Sequence, residues 1–235
     1  MLGAVLDGVG TGGIEEAYQN LLDGSPGQQI AARDSKGVPI PGESVMLSAP
    51  VPGGDVRLTL DLGLQEIAQE ALAQALATTK AKGGDLIITD PSTGEILALV
   101  SARGSHMDAL AAVNAPYEPG STLKPFTVAA VLDHGVGRLT DSINTGNGTW
   151  EIDGRTLSDT HVNGKITLAE ALKVSSNVGV AMAAEALSPS QQYEALRDFG
   201  FGVPTGLPLP GEASGLLRRP ERWTPASNES MAIGY

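Results

Sequence analysis

The sequence predicts an α+β fold in two parts: a short β-prone piece over residues 1–53 and a larger domain over 54–235 with few strands and many helices. Three patterns predict it. Apolar and polar residues alternate through DVRLTLD and give way to a helical stripe, KGGDLIITDPSTGEILALVS reads as two strands around a turn, and helix-forming blocks succeed one another after residue 120.

In chain order, GIEEAYQNLL suits a short helix over 13–22, because Ile14, Ala17, Tyr18, Leu21 and Leu22 recur at helical spacing. Pro26 and Gly27 close it. Residues 28–52 carry two turn signals, DSKG and PIPG, between β-prone pieces, and PVPGG marks a linker near Gly53, where the domain boundary is placed. DVRLTLD predicts a strand over 55–61. Asp61 then caps a helix over 62–78, whose Leu64, Ile67, Ala68, Ala71, Leu72 and Leu76 form an apolar stripe suited to lying on a sheet. Asp90, Pro91, Ser92, Thr93 and Gly94 supply the turn of the hairpin that follows. After a polar loop, helices are predicted over 121–134, 167–173, 177–187 and 189–199, and the Gly and Pro clusters at 200–220 read as loops of a compact domain. Gly104, Ser105, His106 and Met107 also spell the scar left by tag removal, with Arg103 ahead of them as at a cleavage site; chance explains them more simply, and nothing rests on them.

Composition narrows the function classes. With 41% hydrophobic and 18% charged residues the chain is an ordinary globular sequence, and 235 residues suffice to bury a sizeable core. A net charge of −12 argues against a nucleic-acid partner, since phosphate binding needs clustered Lys and Arg. His106, His134 and His161 are scattered and there is no cysteine, so no metal and no cofactor are expected. No apolar run is long enough to span a membrane, and the start lacks a signal-peptide pattern, although an anchor preceding Met1 is compatible with this.

The chemistry concentrates in YEPGSTLKPF, where Ser121 and Lys124 stand three apart at a helix start and therefore share a face. A serine hydroxyl is a poor nucleophile unless a base takes its proton, and a lysine amine serves as that base only when burial or nearby positive charge favours its neutral form. The helix N-terminus adds partial positive charge and free N–H groups beside a developing oxyanion. By itself the spacing is a weak signal, read more readily as a surface serine and a solvated lysine. It gains weight from KVSSNVGVAM, where Ser175 and Asn177 form a Ser-x-Asn pair: the serine can relay a proton, and the amide can hold Lys124 or a substrate carbonyl. The competing reading is that Ser175 and Asn177 only cap a helix.

Together, YEPGSTLKPF and DTHVNGKITLAEALKVSSNVG resemble the transpeptidase domain of class B penicillin-binding proteins, nearest the division-type, FtsI-like group. KGGDLIITDPSTGEILALVS resembles that family's first sheet hairpin, and GIEEAYQNLLDGSPG with RDSKGVPIPG resembles the end of its non-catalytic pedestal domain, so nearly the whole chain is covered. The resemblance implies a penicillin-binding transpeptidase fold, related to the serine β-lactamases, and a DD-transpeptidase that crosslinks peptidoglycan stem peptides through an acyl-enzyme on Ser121. It further implies acylation of Ser121 by β-lactam antibiotics, Lys124 as base, and Ser175 with Asn177 in proton relay and substrate binding. It also implies divisome or other cell-wall synthesis partners, and a place in the cell envelope on the extracytoplasmic face of the cytoplasmic membrane. His161 matches a recurring family position and reads as a structural residue of the loop before Ser175, while Glu118 is read evenly as a frame residue or a solvated one.

The family's third motif, K-[ST]-G, does not occur in the 235 residues, and SMAIGY resembles the stretch some tens of residues before it. The expectation is therefore a fold incomplete at the C-terminus, nearly inactive as written, with an exposed edge on the 84–101 hairpin. Two other readings compete: a serine β-lactamase or β-lactam sensor domain, against which residues 1–53 speak, and a non-catalytic scaffold for division or cell-wall partners.

Overall fold

A computed structural model describes residues 2–104, 106–107, 110–224 and 226–235; Ser105, within the scar-like tetrapeptide, lies outside them. The chain forms two compact units, residues 1–115 with 207–212, and residues 116–206 with 213–235.

In the first unit, strands β1 (Ala4–Leu6) and β2 (Val9–Thr11) pair antiparallel ahead of helices α1 (Gly13–Ala17) and α2 (Gln19–Leu22). The single helix expected over 13–22 is thus broken at Tyr18. Strands β3 (Gln28–Arg33) and β4 (Pro39–Ser48) form a hairpin around DSKG, whose Asp34 carboxylate accepts from the Lys36 and Val38 amides. PIPG, expected as a turn, lies inside β4. Its prolines keep φ in the extended range, so the signal that suggested a turn suits an edge strand equally well.

Helix α3 (Leu62–Thr79) is capped by Asp61, whose carboxylate accepts from the Leu64 amide at 2.9 Å. Its buried line is Ala68 and Leu72 with Leu64 and Leu76, four residues apart, packed on Ala98, Val100 and Ala102 of the sheet. Ile67, expected on that stripe, is 61% exposed, and Ala71 is exposed as well. The sheet runs β5 (Gly83–Thr89), β6 (Ile96–Arg103), β7 (His106–Met107), with Asp90 closing the β5–β6 turn; helix α4 (Ala111–Asn114) follows.

Residues 55–61 form no strand. They approach β6 through single bonds, Asp61 N to Leu97 O at 2.9 Å and Thr59 Oγ1 to Ile96 O at 2.6 Å. The next backbone pair along β6 is already taken: the Gln65 amide donates to Leu99 O and accepts from Leu99 N, both at 3.0 Å. A side chain of α3 thus fills the place on β6 that a ladder partner would occupy.

In the second unit, a 3₁₀ turn (Gly120–Leu123) leads directly into α5 (Lys124–Asp133). Strands β8 (Ser142–Asn144) and β11 (Lys165–Thr167) pair with each other, as do β9 (Thr149–Ile152) and β10 (Arg155–Ser158). Helices α6 (Leu168–Lys173), α7 (Asn177–Ala184), α8 (Pro189–Asp198) and α9 (Ser227–Ala232) complete it, and residues 200–220 are largely irregular, as expected. Thr167 and Ser188 make capping boxes with Glu170 and Gln191, which places the starts of α6 and α8 where the sequence predicts them. The core is small-residue packing: Val128, Val131, Leu168, Ala171 and Val180 form one cluster, and Val178, Ala181, Leu157 and Ile233 another. Alanine and glycine on α7 let α5, α6 and α9 approach closely enough for polar side chains to meet between them. Among the described residues no helix is long and apolar enough to cross a membrane.

Candidate active site

All four residues singled out in the sequence meet at one point in the second unit. Ser121 sits in the 3₁₀ turn, where side chains three apart eclipse, so its hydroxyl lies over the side chain of Lys124. The helix start expected at Ser121 is therefore this tighter turn, and α5 begins at the lysine itself. Lys124 is fully buried, at 0% exposure, while Ser121 is open to solvent. The amine is surrounded by oxygen: Asn177 Oδ1 at 2.6 Å, Ser175 O at 2.7 Å, Ser175 Oγ at 3.0 Å and Ser121 Oγ at 3.1 Å.

This set of partners fixes what the amine can do. Asn177 Oδ1 and the Ser175 carbonyl can only accept, so they take two N–H bonds of a neutral amine. The lone pair is then left toward the two hydroxyls, each of which can give up a proton. Asn177 cannot turn its amide the other way without loss, because its Nδ2 donates to Ser158 O at 2.9 Å. Burial pushes the Lys124 amine below the ordinary lysine value of 10.5, and the negative charge of Asp159 opposes that shift.

The turn carrying Ser175 and Asn177 is held from below. Ser176, not Ser175 or Asn177, is the N-cap of α7: its hydroxyl accepts from the Gly179 amide at 2.8 Å and donates to Asp159 Oδ2 at 2.6 Å. The capping alternative thus falls on the middle serine, and its neighbours are left for Lys124. Ser175 has φ +57, a left-handed conformation that is strained for a non-glycine residue and aims both its carbonyl and its hydroxyl at Nζ. Asp159 also accepts from the Val178 amide at 3.0 Å and from Asn163 Nδ2 at 3.3 Å.

The Ser121 turn has its own support from α9. Gly120 N donates to Gly234 O at 3.0 Å, and Thr127 Oγ1 donates to Ala232 O at 2.8 Å. Gly234 has φ +91, and a Cβ there would lie 2.0 Å from Gly120 O, so only glycine permits this approach. Arg155 of β10 ties α9 in turn, donating to Ser230 Oγ at 2.6 Å and Ala226 O at 2.9 Å.

The family model of the penicillin binding protein transpeptidase domain matches residues 84–235. The chain belongs to this family. It is 36% identical to the probable peptidoglycan D,D-transpeptidase PenA of Neisseria flavescens, a match that covers 98% of the chain and 60% of that protein. Against the peptidoglycan D,D-transpeptidase FtsI of Escherichia coli the identity is 31%, over 98% of the chain and 40% of the relative. The chain thus spans between about two fifths and three fifths of these curated relatives. A crystal structure of a peptidoglycan synthetase from Bifidobacterium adolescentis superposes with a TM-score of 0.83 at 31% identity, over 99% of the chain and 44% of that structure. The mixed α/β architecture is therefore that of the penicillin-binding transpeptidases.

Within this transpeptidase domain, the residues weighed at the margin fall differently. The His161 side chain is exposed, and the carbonyl of the residue accepts from Asn163 Nδ2 at 3.1 Å. Glu118 is exposed and lines a cavity of about 540 Å³ shared with Pro119, Leu123, Arg155, Trp223 and Tyr235. Ser121 and Lys124 are not part of that lining. The residue missed from the sequence is Asp159. DTHVNG contains it, and the available signal is that a buried lysine calls for a carboxylate and Asp159 is the one acid in that segment.

Proposed function

We propose that the protein is a penicillin-binding D,D-transpeptidase that crosslinks peptidoglycan stem peptides through an acyl-enzyme on Ser121, with Lys124 as base, Ser175 as proton relay and Asn177 as the holder of Lys124. The observation that carries this reading is the fully buried Lys124 amine, 3.1 Å from Ser121 Oγ and 3.0 Å from Ser175 Oγ, with its other contacts made to pure acceptors. Ser121 Oγ attacks the carbonyl of the scissile amide, and its proton passes to the Nζ lone pair as the O–C bond forms. The proton then reaches the leaving amine through Ser175 Oγ as the C–N bond breaks. An incoming amine attacks the ester, gives its proton back along the same path and releases Ser121. A β-lactam enters at the first step, its ring amide taking the place of the peptide bond.

On this reading residues 1–53 are the end of a pedestal domain with its linker and 54–235 the transpeptidase domain. The protein then works in the cell envelope on the extracytoplasmic face of the cytoplasmic membrane, with division or other cell-wall synthesis proteins as partners. Incubating the full gene product with a penicillin is expected to add the mass of the intact drug to the peptide containing Ser121, as read by mass spectrometry. No adduct, or an adduct on another residue, sinks the proposal.

The depressed basicity of Lys124 gives a pH dependence. A base acts in its neutral form, so the acylation rate falls as pH drops through the Lys124 pKa and rises toward a plateau above it. The midpoint lies below the 10.5 of an ordinary lysine. Stopped-flow acylation across pH checks this, and a rate that falls with rising pH over that window contradicts the assignment.

A further inference from the structure

The arrangement around Asn177 points to a further participant. Asp159 grips the residues on either side of it: Oδ2 accepts from Ser176 Oγ at 2.6 Å and Oδ1 from Val178 N at 3.0 Å, while Asn177 Oδ1 between them accepts from Lys124 at 2.6 Å. One carboxylate therefore fixes the height and rotation of the segment that surrounds the amine. The loop bearing it is anchored at Asp159 N, which donates to Gly148 O at 2.8 Å, and at Asn163.

We propose that Asp159 is a positioning residue that clamps the Ser175–Asn177 turn onto Lys124 and supplies the counter-charge for the proton Lys124 takes from Ser121. The proposal rests on the reading of Ser121 and Lys124 given above. A buried ammonium formed during the reaction needs a negative charge nearby, and the amide, carbonyl and hydroxyls around Nζ provide dipoles only. The other elements packed on α5 bear Glu170 and Lys173 on α6, Glu185 at the end of α7, and Glu194, Arg197 and Asp198 on α8; Glu229 lies on α9 and His161 on the Asp159 loop. Of these groups, Asp159 is the one bonded to both residues that flank Asn177, which itself holds the Lys124 amine, and from there its negative charge favours the protonated amine against the effect of burial. Its two roles are separable, since asparagine keeps much of the clamp and loses the charge.

The test is a titration of Lys124 by NMR in the full gene product carrying ¹³Cε-lysine, with the resonance assigned by its loss in Lys124→Arg. Asp159→Asn is expected to move the Lys124 midpoint down by about half a pH unit or more, because the charged form loses its partner. Asp159→Glu, which restores the charge, is expected to bring it back. A midpoint that stays put or moves up in Asp159→Asn overturns the proposal, and a purely structural role for Asp159 predicts that result. If Asp159→Asn does not fold, Asp159→Ser, which also removes the charge and keeps a hydrogen-bonding side chain, is read in its place: a midpoint lowered by about half a pH unit or more supports the proposal, and one that stays put or moves up overturns it. The titration needs no catalysis, so a missing Ser121 adduct sinks the transpeptidase reading while the Asp159 result stands or falls separately.

Discussion

Replacing Lys124 by alanine is expected to slow acylation of Ser121 by a penicillin about a thousandfold, within the range that positioned acid–base groups contribute. Among the described residues the hydrogen-bond partner of the Ser121 hydroxyl is the Lys124 amine, and the remaining partners of that amine are an amide oxygen, a carbonyl and a hydroxyl. None of these accepts a full proton near neutral pH. Lys124→Arg should do no better, because a guanidinium stays protonated and is planar where the site is shaped for a point donor. The measurement is the pseudo-first-order labelling rate at saturating drug, with a thermal melt to separate lost chemistry from lost fold. A loss of less than tenfold in a folded Lys124→Ala variant overturns the role given to the amine.

Gly234→Ala is the second large expectation. An alanine Cβ at φ +91 would stand 2.0 Å from Gly120 O, so either α9 or the Ser121 turn has to move. Both are pinned, the first by Arg155 and the second by the bond from Gly120 N to Gly234 O. The expected cost is about 3 kcal/mol, or a fall in Tm of about 6–12 °C for a domain of this size. Acylation should suffer as well, since the Ser121 hydroxyl moves with its turn. A fall in Tm of under about 2 °C shows that the two segments part easily and that α9 does not brace the nucleophile.

The cluster of Ser121, Lys124, Ser175 and Asn177 was legible because its members sit in two short local patterns. Ser121 and Lys124 are brought together by one turn, and Ser175 and Asn177 by the two ends of a tight bend, so each pair is visible as a short motif, while the meeting of the two pairs across about fifty residues was carried by the family resemblance. Asp61, Thr167 and Ser188 were readable for the same reason, since a cap is a contact within three residues. Asp159 was not. It meets Ser176 across 17 residues of chain, through a loop whose path depends on the pairing of β8 with β11 and of β9 with β10. Gly234 was equally hidden, because its need for a missing side chain arises from a contact with Gly120 that no local pattern encodes. The alternation in DVRLTLD misled for a different reason: periodicity tells which side chains face a core, not whether a neighbouring edge has backbone groups left to pair. The expected stripe on α3 includes two residues that stay exposed, and Ile67 and Ala71 show that a helix resting on a single sheet face buries a narrower line than its composition offers.

Gln65 gives that last point a wider meaning. Its amide matches the Leu99 backbone donor for acceptor and acceptor for donor, as a peptide group of a neighbouring strand would. A helix residue thus occupies the backbone groups through which β6 could pair with another chain during folding, when unpaired edges are most exposed to wrong partners. Glutamate there would keep one of the two bonds and leucine neither, so the fold could survive either change while the molecule became stickier. Selection at Gln65 would then be for staying single, and would leave little trace in a thermal melt.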